Sequence, residues 1–178
     1  MRTTIVSLAF ISGLSVAQPA HQHGLAVLNL VQDQQSLALE LIIPADSALG
    51  FEHKPANSQQ EQQVEQLETE LQQASFLFDI GSQCVLSEFD IDMAGLSSHD
   101  DEHDEHDEHD EHDEHDEHDD SEHMDIHVHY QFNCEAISQL RFKGFEVFEG
   151  LQHLDVRAIT DSGQHQTRLD PSNDTLDW

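Results

Sequence analysis

His123-Met124-Asp125-Ile126-His127-Val128-His129-Tyr130-Gln131-Phe132-Asn133-Cys134 alternates polar and apolar residues along nearly its whole length. Successive side chains of an extended strand point to opposite faces. Met124, Ile126, Val128, Tyr130 and Phe132 therefore line a core, while His123, Asp125, His127, His129 and Gln131 form a row of potential ligands. Upstream, Cys84 to Met93 divides the same way, with Val85, Phe89, Ile91 and Met93 on one side and Glu88, Asp90 and Asp92 on the other. The two runs read as arms of one hairpin whose long tip is the segment between them. Core positions are odd in the first arm and even in the second, so facing residue numbers need an odd sum. One such register sets Asp92 opposite His127 and Asp90 opposite His129. Directly opposed Cys84 and Cys134 would have an even sum, which requires a bulge, a diagonal staple or irregular strand ends.

The tip is chemically extreme. Residues 99–120 contain only His, Asp and Glu, and Asp101 to His118 are six consecutive copies of Asp-Glu-His. Nothing in them can be buried to offset the entropy lost on ordering, so the expectation without metal is disorder. A helix is a poor alternative, because a period of three drifts around a 3.6-residue turn and like charges repel along the rod. Imidazole is the commonest side-chain ligand for Zn²⁺, Cu²⁺ and Ni²⁺, and a carboxylate can complete the shell or orient the ring. His103, His106, His109, His112, His115 and His118 are thus candidate ligands. A flexible chain loses entropy on closing around an ion, which implies weak to moderate affinity, several ions, and little selectivity beyond the Irving–Williams order. A solvated acidic linker would account for the Asp and Glu but not for a His in every triplet.

Working outward, Leu25 to Val31 and Leu37 to Ile43 are apolar runs flanking Gln32-Asp33-Gln34-Gln35-Ser36 and read as a further hairpin, ended by Pro44 and Ala45-Asp46-Ser47. Asn57-Ser58 offers caps for a helix whose Val64, Leu67, Leu71 and Ala74 form one narrow apolar stripe. Leu140 to Phe148 and Gln152 to Thr160 look extended, and Asp161-Ser162-Gly163 turns into a last strand reaching Leu169. The expected class is α+β: an antiparallel sheet of six or seven strands with one packed helix and a long disordered His/Asp/Glu loop.

Residues 1–17 have a basic start, an apolar run and Ser15-Val16-Ala17, the pattern of a cleaved secretory signal and too short for a membrane span. Residues 18–178 then form a single metal-binding domain, with 94–122 a disordered His/acidic loop inserted in it, and no membrane insertion is expected after cleavage. Six Lys plus Arg stand against 37 Asp plus Glu, giving a net charge of −31. The tract's 15 carboxylates leave −16 on the remainder, still a field that repels nucleic acid and concentrates cations. In an exported chain, two cysteines favour a disulfide over a thiolate metal site, and neither Cys84 nor Cys134 sits in a CxxC spacing.

His21 and His23 fall at i and i+2 near the mature N-terminus and could reach the histidine strand. His53 lies in the loop before the helix, whereas His153 and His165 read as surface residues. The folded part's candidate ligands are therefore His21, His23, His53, Asp92, His123, His127 and His129. The order of His21-Gln22-His23-Gly24, Gly50-Phe51-Glu52-His53, Cys84, the His/acidic insertion, His123, Tyr130-Gln131-Phe132-Asn133-Cys134, Gly163-Gln164 and Leu169 resembles the ZrgA-type zinc uptake proteins of Gram-negative bacteria. Phe148-Glu149 departs from the Phe-Pro found there in that family, which bears on a local turn alone.

The resemblance implies a periplasmic zinc binder that assists uptake, with histidines in the folded part and a His-rich loop outside it. An accessory chaperone or scavenger, serving a zinc ABC transporter system or its solute-binding subunit, fits this length. A two-lobed solute-binding subunit needs a far longer chain. A storage or detoxification buffer for zinc, copper or nickel would use the same tract. HExxH, Gly-Xaa-Ser-Xaa-Gly and P-loop motifs are missing from the sequence, and the exposed donors do not suit one catalytic ion, so no enzyme is expected.

Overall fold

The computed structural model describes residues 22–93, 95–96, 124–135 and 137–178. The expected signal segment, and all of the expected loop except residues 95 and 96, lie outside them. Strand β1 (Leu25–Asp33) pairs antiparallel with β2 (Ser36–Pro44) through a tight turn in which Gln34 adopts a positive φ of 54°. Such a two-residue connection matches the twist of the paired strands. Ala26, Leu28 and Leu30 of β1 and Leu37, Leu39, Leu41 and Ile43 of β2 are all buried, so both strands present one face to the core.

The anticipated second hairpin is present, formed by β4 (Cys84–Asp92) and β5 (Asp125–Cys134). It joins the first because β5 pairs antiparallel with β2, placing Ile126, Val128, Tyr130 and Phe132 on the same buried face. With β7 (His153–Thr160) and β8 (Gly163–Leu169) the main sheet has six strands in the order β4-β5-β2-β1-β7-β8. It is mixed rather than antiparallel, because β1 and β7 run parallel. Alternation fixes which face a strand buries but not its direction, and the long connection from β2 to β7 lets the chain return either way.

Three short strands form a second, smaller sheet in the order β3-β6-β9: β3 (Phe78–Asp79), β6 (Gln139–Phe142) and β9 (Thr175–Asp177). Nine strands among the described residues exceed the expected six or seven, and the protein is mostly β rather than clearly α+β. The expected helix is α2 (Ser58–Leu71), with the Asn57 side chain accepting from the backbone N–H of Gln59 and Gln60. Its stripe Val64, Leu67 and Leu71 is buried, and Ala74 falls in a following 3₁₀ turn. Two short helices were not anticipated. α1 (Ala45–Leu49) begins where β2 ends, and α3 (Gly144–Val147) interrupts the stretch expected to be extended. At Gly144 any Cβ would collide with the Phe142 ring, so only glycine allows the chain to coil back there. Leu96, assigned to the loop from sequence, is fully buried, and its N–H donates to the Met93 carbonyl at 2.9 Å.

Tyr130 ties helix to sheet. Its hydroxyl donates to the Leu71 carbonyl at 2.6 Å, satisfying an acceptor at the helix C-terminus, while its ring meets Phe78 edge-on at 5.9 Å. Burial pushes the phenol well above its ordinary pKa, so it stays a donor at any physiological pH. Tyr130→Phe is expected to cost about 1–2 kcal/mol by leaving that buried carbonyl unpaired. Urea denaturation measures it, and an unchanged midpoint would show that the hydrogen bond contributes nothing.

Candidate metal centre

The start of β1 is clamped at one end of the main sheet. Gly24 donates its N–H to the Ser47 hydroxyl at 2.9 Å and accepts from the backbone N–H of Gln152 and His153. Its φ of +78° is one glycine adopts without strain. The clamp sets His23 against α1, where its Nδ1 lies 2.8 Å from Asp46 Oδ2. Gly50, left-handed at φ 79°, ends α1 and turns the chain so that Phe51 enters the core and Glu52 comes within 3.9 Å of His23 Nε2.

A carboxylate accepting the Nδ1 proton fixes the neutral ring in the tautomer whose lone pair is on Nε2, the orientation used by metal-ligating histidines. The hydrogen bond to Asp46, and after it the charge of Glu52, raise the His23 pKa above the ordinary imidazole value. An ion at Nε2 competes with the second proton, the one that makes the ring an imidazolium, while the Nδ1 proton stays on Asp46's side. Binding there weakens on acidification, beginning at a higher pH than for an isolated imidazole.

The same end of the sheet carries the roots of the tract. β4 ends at Asp92 and β5 begins at Asp125, which pairs with Pro44; Ala45 donates its N–H to the Met124 carbonyl at 2.8 Å. Asp92 faces His127 and Asp90 faces His129, the register that the alternation allowed. Cys84 faces Cys134 and is disulfide-bonded to it, and a bulge between Leu86 and Glu88 reconciles the two halves of the hairpin. The extra residue is Ser87, whose hydroxyl donates to the Gln131 carbonyl at 2.9 Å. On its other flank His129 faces Glu40, with Nε2 3.9 Å from Oε1.

The candidates thus divide. His23 gathers Asp46 and Glu52, while His127, His129 and Asp92 share the hairpin face. His53 is held apart by its own loop: its ring packs 5.3 Å from Phe51 and Nδ1 lies 2.9 Å from the Lys54 carbonyl. His21, His123 and the tract histidines lie outside the described residues. Among the described residues, no three His, Cys, Asp or Glu side chains already converge as a set that could hold a metal ion. Sequence reasoning missed Asp46, Glu52 and Glu40. Glu52 had a signal, because a buried Phe51 turns its neighbour outward; Asp46 had been read only as the end of a strand.

These features define a class: a β-sheet protein with imidazole–carboxylate pairs at the end of the sheet from which a His/Asp/Glu segment leaves. Residues 20–178 match the model of the family described as ZrgA family zinc uptake protein, and the chain belongs to that family. No curated protein matches it. Among the described residues no helix is long and apolar enough to cross a membrane.

Proposed function

We propose that this chain is a periplasmic, non-enzymatic accessory zinc chaperone that gathers the ion on its Asp-Glu-His tract and supports uptake. The tract captures ions weakly and the folded end holds one more tightly. One hydrogen bond ties the first described residue after the tract to the folded end, and that bond is the observation carrying the reading. Met124, at the downstream root of the tract, accepts from Ala45, the residue before the Asp46 that orients His23. His23 Nε2 and Glu52 are the donors of the folded end, and water or further imidazoles complete the shell. Zinc is the cargo the family description favours, and copper or nickel would compete by the ordinary affinity order. An ABC transporter system for zinc, or its solute-binding subunit, is the receiver that this role requires.

Growth of a deletion strain tests the role. Loss of growth under zinc starvation, restored by added zinc, is the expected result. Normal growth when starved, together with sensitivity to excess zinc, would replace uptake by storage or detoxification.

A further inference from the structure

The face of the six-stranded sheet opposite the core is crossed by rows set by strand register. One row runs Asp90, His129, Glu40, Asn29, Arg157 and Gln166. Its first four members border a concavity of about 410 Å³ that Glu88 and Gln131 also line. We infer that this concavity is a second divalent-cation site, with His129 Nε2 and Glu40 Oε1 as its donors and Asp90 flanking His129 on the edge strand. It rests on the reading that a borderline-soft divalent cation is the cargo, but uses neither His23 nor the tract.

Three observations carry it. Glu40 is held, because its Oε2 accepts from Asn29 Nδ2 at 2.7 Å, which leaves Oε1 as the oxygen nearer the imidazole. The His129 Nε2 to Glu40 Oε1 separation is 3.9 Å, whereas two donors on one tetrahedral zinc stand about 3.4 Å apart, so half an ångström of side-chain motion closes the pair. The lining carries the carboxylates Glu40, Glu88 and Asp90 and no Lys or Arg; the nearest cation along the row, Arg157, lies beyond Asn29. Placement on paired strands rather than on a loop fixes the backbone under both donors. Two protein donors with water completing the shell make an exchangeable site, suited to an ion in transit rather than in store. Without a metal role, the same geometry is only a solvated cross-strand ion pair, worth little to stability.

Long-range ¹H–¹⁵N spectra of the imidazoles in the full-length chain, titrated with zinc, separate the two. The ring signals missing from His129→Gln identify His129. The expected result is that its Nε2 moves to a metal-bound position, and that Glu40→Gln raises the zinc needed for half the change roughly tenfold or more. Asn29→Ala should raise it several-fold without altering the metal-free His129 signals. All of these residues are on the open face, so unchanged thermal midpoints confirm that the variants fold. The site is overturned if His129 Nε2 stays unmoved once the tract signals have finished shifting, or if it titrates identically in Glu40→Gln. Failure of the starvation phenotype with a zinc-responsive His129 would instead reject the uptake role alone.

Discussion

Deleting residues 99–120 should remove most of the zinc the chain takes up and leave at least one tighter ion in place. The deleted segment carries seven of the chain's 15 histidines, and about two imidazoles per ion correspond to roughly three ions lost. The fold should tolerate the change. Leu96 is packed in the core, and a Cβ on Gly95 would touch the Met124 side chain, so the two roots of the tract lie side by side. Ser97, Ser98, Ser121, Glu122 and His123 remain to join them. Calorimetric titration of both proteins at two ionic strengths makes the measurement. The intact protein's weak phase should fade with salt, because the tract's 15 carboxylates concentrate cations only within a Debye length. The tighter phase, proposed for His23 and Glu52, should persist in both. An unchanged isotherm would reduce the tract to a linker, and loss of all binding would eliminate the folded site.

What was legible in the sequence was whatever depends on local period. The split of Ile126, Val128, Tyr130 and Phe132 from His127, His129 and Gln131 is a property of one strand, and burial follows it residue by residue. The pairs Asp92–His127 and Asp90–His129 belong to one of the odd-sum registers left open once the two arms are taken as neighbours, and the structure selects it. The position of the bulge was not legible, because Ser87 is marked only by a bond to the facing strand's carbonyl. Nor was the parallel pairing of β1 with β7, which joins segments far apart in the chain. Asp46, Glu52 and Glu40 were missed for a related reason. Each meets its histidine across a turn or a strand pair, and an acidic residue in so acidic a chain carries no signal until its neighbour is known. Gly144 shows the converse: an extended pattern was read through a glycine that the packing of Phe142 had reserved for a helical turn.

Replacing Cys84 and Cys134 together by alanine should cost about 2–5 kcal/mol, the usual range for a disulfide in a small exported domain, with about 4 kcal/mol expected from chain entropy for a loop of this length. The bond closes a separation of 50 residues that contains the entire tract. In the reduced, unfolded chain that segment is a charged coil free to swell. β4 also depends on the staple locally: among the described residues it is an edge strand paired only with β5, and Val85, Leu86, Ser87, Glu88, Asp90 and Asp92 are exposed, so little burial holds it. The loss should therefore appear first as faster amide exchange along β4 and then as a lower denaturant midpoint. His23 and Glu52 belong to other elements, so their zinc response should survive wherever the variant is folded. Equal midpoints for the oxidised protein and the double variant would sink this account, and would also weaken the case for a compartment that keeps the bond oxidised.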